Sequence, residues 1–314
     1  MDEDDLPGGN DENPIVNDVD AVFNRIPNDS TIYKFSKGEV SKPKGGHLQG
    51  MQASRDGSVY VLSGSSDETA YLLTVDKANL TAIDIKDITP KDSPRFSRLK
   101  HARGFQVIGN FLVVGLENNR EEGSIVSLYE VKSSSLEFKR NLVEREGMTE
   151  GTAAAGAVGI VKLESGEFLM VVGTWDCYTV DIYKSNKEPL GEPACTFDLI
   201  ATWKKNDAVR TGWIDNNWAP YQSLNLVLSS DGNVYMFAFN RSSNGNFVDL
   251  FSVNKEVDAN TVNGCFLKRT NKAVTCHDGV SFRLGAGIWI RDEGNISLLA
   301  SERNLDERTT INLF

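Results

Sequence analysis

A two-residue signature, a small residue followed by an apolar one inside a strand-like run, returns along the chain. It occurs at Gly50-Met51, Gly104-Phe105, Gly159-Ile160, Asn225-Leu226 and Gly287-Ile288, at intervals of 54 to 66 residues. A period of that size marks one supersecondary unit made repeatedly. The signature sits in residues 47–52, 101–106, 156–161, 222–227 and 284–289. Each run is followed by a turn, Asp56-Gly57, Gly109-Asn110, Ser165-Gly166, Asp231-Gly232 or Glu293-Gly294, and most of these are hairpin signals. Second strands are expected at 59–62, 111–114, 168–172, 234–237 and 296–299, and third strands at 70–75, 125–131, 180–183, 248–253 and 310–314. Weaker fourth strands are expected at 80–85, 136–142, 195–203 and 265–268.

The last repeat ends at its third strand, so its outer strand has to come from elsewhere, and residues 31–35 (Thr-Ile-Tyr-Lys-Phe) are the candidate. Four-stranded units repeated around an axis are the propeller architecture. The fold expected is therefore all-β, a five-bladed β-propeller whose last blade takes its outer strand from the N-terminal region. It forms a single domain over residues 19–314. Helical folds are excluded because no segment holds a 3.6-residue apolar period over three turns, and a β-helix needs shorter repeats. Glycine in the signature column fits inner strands that crowd near an axis.

The first strands carry polar residues that cost ~1–3 kcal/mol each if buried unpaired, namely Gln49, Gln52, Arg103, Gln106, Gln222 and Asn225. A water-filled channel, or contact with a ligand near its mouth, would relieve that cost. In a propeller the loops leading into the first strands share a face with those joining second to third strands. The first set supplies His47, Lys100, His101, residues 152–156, residues 213–222 and Arg283. The second supplies residues 63–68, 117–122, 174–176, 240–244 and 301–304. Ligand contacts are expected from His47, Gln49, Lys100, His101, Arg103, Trp175, Asp176, Trp218, Tyr221, Gln222, Arg283, Glu302 and Arg303, because the aromatic rings could stack on a sugar or another planar group. His47 and His101 hold equivalent places in adjacent repeats. They are candidates for acid–base work with Asp176, Asp215 or Glu302, or, together with His277, for a divalent metal. Hydrogen bonding to neighbouring loops is the simpler reading. No cofactor is otherwise expected.

The chain has 314 residues and a net charge of -11, which argues against nucleic acid as a partner. That charge fits a soluble monomer, with cation binding as the alternative reading. No stretch approaches the ~18 apolar residues of a membrane span. Cys177, Cys195, Cys265 and Cys276 form no C-x-x-C pair; Cys177 with Cys195 and Cys265 with Cys276 could bridge hairpins, or all four could be free thiols. Residues 1–18 begin acidic and rich in Gly and Pro, without a basic or apolar leader, and are expected to be a disordered spacer.

Residues 47–52 (HLQGMQ), Lys100-His101 with Gly104-Phe105-Gln106, 156–160 (GAVGI), 172–176 (VGTWD), 221–225 (YQSLN) and 282–287 (FRLGAG) together resemble an uncharacterised family of bacterial exported β-propellers. The resemblance runs from about residue 47 to the end. It implies the fold and export to the periplasm, cell surface or medium, with no assigned catalytic residues. The acidic start is similar to the spacer that follows a cleaved signal or lipid anchor. The expected function is binding of a small polar ligand, a carbohydrate or a protein at the channel mouth, without assigned catalysis. The alternative is a hydrolase or lyase of glycosidase type, which needs two carboxyl groups across its substrate. No first strand offers an acid at its start, so Asp176, Asp215 and Glu302 would have to serve.

Overall fold

The computed structural model describes residues 11–118, 123–145 and 154–314, and over them the protein is all-β apart from single helical turns and one short helix. Its strands form antiparallel meanders. β2 (His47–Ala53), β3 (Val59–Ser65), β4 (Ala70–Asp76) and β5 (Thr81–Asp87) pair in sequence, as do β6 (His101–Ile108), β7 (Phe111–Glu117), β8 (Ser124–Val131) and β9 (Leu136–Arg145). β10 (Ala157–Lys162), β11 (Phe168–Gly173), β12 (Thr179–Ser185) and β13 (Phe197–Lys204) make another sheet. So do β14 (Ser223–Leu228), β15 (Val234–Ser242), β16 (Gly245–Val253) and β17 (Phe266–Val274). β18 (Ala286–Asp292), β19 (Asn295–Ser301) and β20 (Arg308–Leu313) are completed by β1 (Thr31–Ser36), which pairs with β20 from Thr31↔Leu313 to Ser36↔Arg308. The strand missing from the last repeat thus comes from the N-terminal region.

Second strands such as β7 and β11 are buried along their whole length, because both faces of each sheet are covered by neighbouring sheets. Separate apolar clusters fill the spaces between consecutive sheets; one joins Trp203 of β13 to Trp218, Phe251 and Phe266. The first strands pack on one another, β2 against β6 and β18, and β10 against β6 and β14. Glycine is required where they meet. A Cβ at Gly287 would lie 2.4 Å from the Met51 carbonyl oxygen, and one at Gly104 2.7 Å from that of Gln222.

Where the first strands diverge, side-chain amides take over the backbone pairing. Gln106 donates to the Leu226 carbonyl (2.7 Å) and accepts from the N–H groups of Ile160 (2.9 Å) and Leu226 (2.8 Å). Gln52 donates to the Phe105 carbonyl (3.0 Å) and accepts from the Val107 N–H (2.7 Å). Asn225 donates to the same Phe105 carbonyl (3.1 Å) and accepts from the Ile288 N–H (3.2 Å). These three amides therefore tie strand to strand, where a water-filled channel or ligand contact was expected.

Residues 11–18 differ from the expected spacer. Asp11 and Glu12 pair with Lys162 (2.9 Å each), and Asn13 bonds the Val107 carbonyl (3.1 Å) and the Gly109 N–H (3.2 Å). Val16 bridges to Ser229, and the Asn17 N–H reaches the Glu293 carbonyl. The segment thus crosses the hairpin end of the first strands as a strap. Its acids find a lysine and backbone donors there, which composition does not reveal. Residues 1–10 lie outside the described residues. The strap leads into α1 (Val19–Arg25), capped by Asp18, whose Oδ1 accepts from the Ala21 N–H (2.9 Å), with Val19, Val22 and Phe23 buried. All four cysteines are free thiols.

Candidate functional site

At the end where the first strands begin, several of the expected loops come together. The Leu48 N–H bonds the Arg303 carbonyl (2.7 Å), His47 bridges to Asn304, His101 pairs with both Ser65 and Glu117, and Lys100 Nζ holds the Asp67 carbonyl (2.8 Å).

Arg103 is the hub of this end. Its side chain is buried, and its Nε donates to Glu117 while Nη1 donates to Gln222 Oε1 (3.1 Å) and Gln49 Oε1 (3.4 Å). Gln222 Nε2 donates in turn to Asp176. Gln49 Nε2 lies 2.7 Å from His47 Nε2 and donates to Ser65 Oγ (3.2 Å). The guanidinium lies 5.2 Å from the ring centroid of Trp175, which is 44% exposed. One connected network therefore carries side chains from several sheets.

Trp175 and Asp176 are presented by a tight turn. Residues Trp175–Cys177 form one 3-10 turn in which Asp176 (φ 56°) and Cys177 (φ 53°) adopt the left-handed conformation, a strain tolerated where surrounding structure fixes it. That support is Trp218, whose Nε1–H donates to the Cys177 carbonyl (2.9 Å) while its ring lies buried against Trp203 and Phe266. Trp218 is thus a core residue that holds the turn, a correction to its expected role as a stacking platform. Tyr221 is likewise buried, and its hydroxyl donates to Asp249. Burial, with the nearby Asp249 charge, raises the Tyr221 pKa well above its ordinary value.

His47 and His101 face each other edge to face, with ring centroids 6.2 Å apart. Burial, then the Arg303, His101 and Arg103 charges, lowers the His47 pKa to about 4; burial and Arg103 lower that of His101 to about 4. Both rings are neutral at pH 7. His101 Nδ1 lies 3.9 Å from Glu117 Oε1. Buried His101 Nδ1 and Glu117 Oε2 have no hydrogen-bond partner among the described residues. Glu117, 1% exposed, falls in the expected 117–122 mouth loop but was not singled out as a ligand contact. Its signal was an acid closing the otherwise apolar β7.

The remaining candidates lie apart from the network. Asp215 pairs with buried Lys268 (3.1 Å), which also holds Asp249 (3.1 Å) and the Asn217 carbonyl. His277 bonds Asp29 (2.6 Å) at the seam where Thr275 bridges to Asp29, so it does not extend the His47–His101 pair. No group of three or more His, Cys, Asp or Glu in metal-holding geometry occurs among the described residues. Arg283 is exposed, and no contact ties it to the network among the described residues. Glu302 is half-buried, its N–H on the Thr310 carbonyl, and Arg303 is exposed beside His47. Of the loops expected at the mouth, 119–122 and 152–153 lie outside the described residues.

No protein-family model matches the chain, and no curated protein matches it. Solved structures similar to it include an endo-arabinase from Bacteroides thetaiotaomicron VPI-5482 (12% identity, 88% of this chain and 95% of that one, TM-score 0.48). An exo-1,5-alpha-L-arabinanase from a bovine ruminal metagenomic library is similar at 12% identity (88% and 95%, TM-score 0.47). A luciferin-regenerating enzyme is similar at 8% identity (96% and 90%, TM-score 0.43). At this likeness none of their activities carries over.

Proposed function

We propose that the chain is an exported five-bladed β-propeller that binds a small polar ligand of the carbohydrate class at the mouth of its channel, without catalysing a reaction. The observation that carries this reading is the Trp175–Arg103–Glu117 assembly. An exposed indole lies over a guanidinium already oriented by three partners, beside a buried carboxylate oxygen with no hydrogen-bond partner among the described residues. An aromatic face suits the apolar face of a sugar ring, and the buried Glu117 carboxylate fixes the guanidinium against which Trp175 rests. The five-bladed arrangement is supported by the closed succession of first-strand contacts and by β1 completing the last meander. No helix of the described residues is long and apolar enough to cross a membrane, and export rests on the family resemblance.

Binding is favoured over hydrolysis because the acids named for catalysis are dispersed. Asp215 is held by Lys268, and Asp176 is held by Gln222. A glycan array with the intact protein, repeated with Trp175→Ala, tests the reading. Hits lost in the variant support it. No hits, or hits unchanged in the variant, count against it.

A further inference from the structure

The mouth carries two cations that the network leaves without a counter-charge. Arg303 is exposed, and the backbone places it beside His47, through its carbonyl on the Leu48 N–H and through Asn304 bridged to His47. Lys100 precedes His101, and its Nζ is held on a neutral carbonyl, that of Asp67. Neither makes an ion pair among the described residues, in a chain whose net charge is -11. Among the described residues of this face, Glu117 is bound to Arg103 and Asp176 to Gln222, while the carboxylates of Asp67, Glu68 and Glu302 pair with neither cation. His47, beside Arg303, and His101, which follows Lys100, form a neutral pair that adds no charge of its own; the His47 ring is already engaged by Gln49.

This deepens the carbohydrate reading and rests on it: we propose that the ligand is an acidic saccharide, its ring against Trp175 and its carboxylate drawn to the pole formed by Arg303, Lys100 and the His47–His101 pair. The contact chain from Trp175 through Arg103 and Gln49 to His47 joins the indole to this pole through side chains that are themselves buried. A guanidinium recognises a carboxylate through paired N–H donors, so Arg303 is the specificity-determining residue.

The test uses the intact protein on an array of uronate-containing glycans, each beside its carboxyl-reduced counterpart, with titration calorimetry on the hits. Expected are hits concentrated among the acidic members and binding at least ~10-fold weaker after carboxyl reduction, the scale of one charge-assisted contact. Arg303→Gln, at an exposed position, should bring binding of the acidic glycan down to that of its reduced counterpart, whereas Trp175→Ala should weaken both. Equal binding of acidic and reduced glycans, or discrimination that survives Arg303→Gln, overturns the acidic-ligand proposal and leaves the carbohydrate reading standing. No binding of any glycan overturns both.

Discussion

Gln106→Leu replaces an amide with an apolar group of similar size at the point where three first strands are joined. Three backbone groups then lose their partner: the Leu226 carbonyl, the Leu226 N–H and the Ile160 N–H. Each buried, unpaired backbone group costs ~1–3 kcal/mol, and the added apolar burial returns ~1–2 kcal/mol, leaving a net loss of roughly 1–8 kcal/mol. Gln52→Leu is the internal scale. It strands two groups, the Phe105 carbonyl and the Val107 N–H, and Asn225 still serves that carbonyl, so its cost should be clearly smaller. Equilibrium urea unfolding followed by tryptophan fluorescence measures both. If Gln106→Leu costs under ~1 kcal/mol, or Gln52→Leu costs more than Gln106→Leu, the idea that side-chain amides stand in for strand pairing is wrong.

Four further outcomes are expected. The folded pKa of about 4 for His47 and His101 lies below the ordinary 6.5, so the unfolded chain binds more protons between those values. Stability should be complete above pH ~6.5 and fall progressively toward pH 4, by an amount on the order of 2–3 kcal/mol per imidazole, read from denaturant midpoints across pH. Arg103→Met leaves the Glu117 carboxylate buried without its guanidinium and should cost ~3–5 kcal/mol, with Arg103→Met/Glu117→Gln recovering much of the loss; an additive double variant would contradict the pairing. Trp218→Ala should destabilise by ~3–5 kcal/mol, whereas Trp175→Ala should stay within about 0.5 kcal/mol of the parent, as thermal and urea unfolding will show. Reductant should leave the melting temperature unchanged, since no disulfide is present.

Repetition revealed most of the strand plan, because a unit that buries both faces of its second strand must write that burial into consecutive apolar residues, as 168–172 does. The closeness of His47 and His101 followed from their equivalent places in adjacent repeats. What did not follow was the direction of individual aromatic rings. Trp218 and Trp175 both sit in loops at the same end, and only the approach of Trp203 and Phe266 from distant strands decides that Trp218 faces inward. The strap was missed for a related reason. Asp11 and Asn13 read as solvated loop residues until Lys162, Leu190 and Gly109 supply specific partners far along the chain. Glu117 was placed at the mouth only as part of the 117–122 loop, because an acid closing an apolar strand does not show its partner until Arg103 is seen beside it.

The pairing of β1 with β20 has a consequence for how the molecule is made. During synthesis β1 has no β20 to pair with until about 270 residues after it have been made, so this ladder is sealed by a contact of very large sequence separation. Such contacts form late and slowly, and the waiting edge is open to other chains meanwhile. Loss of the seal should likewise be the first step by which the finished protein comes apart.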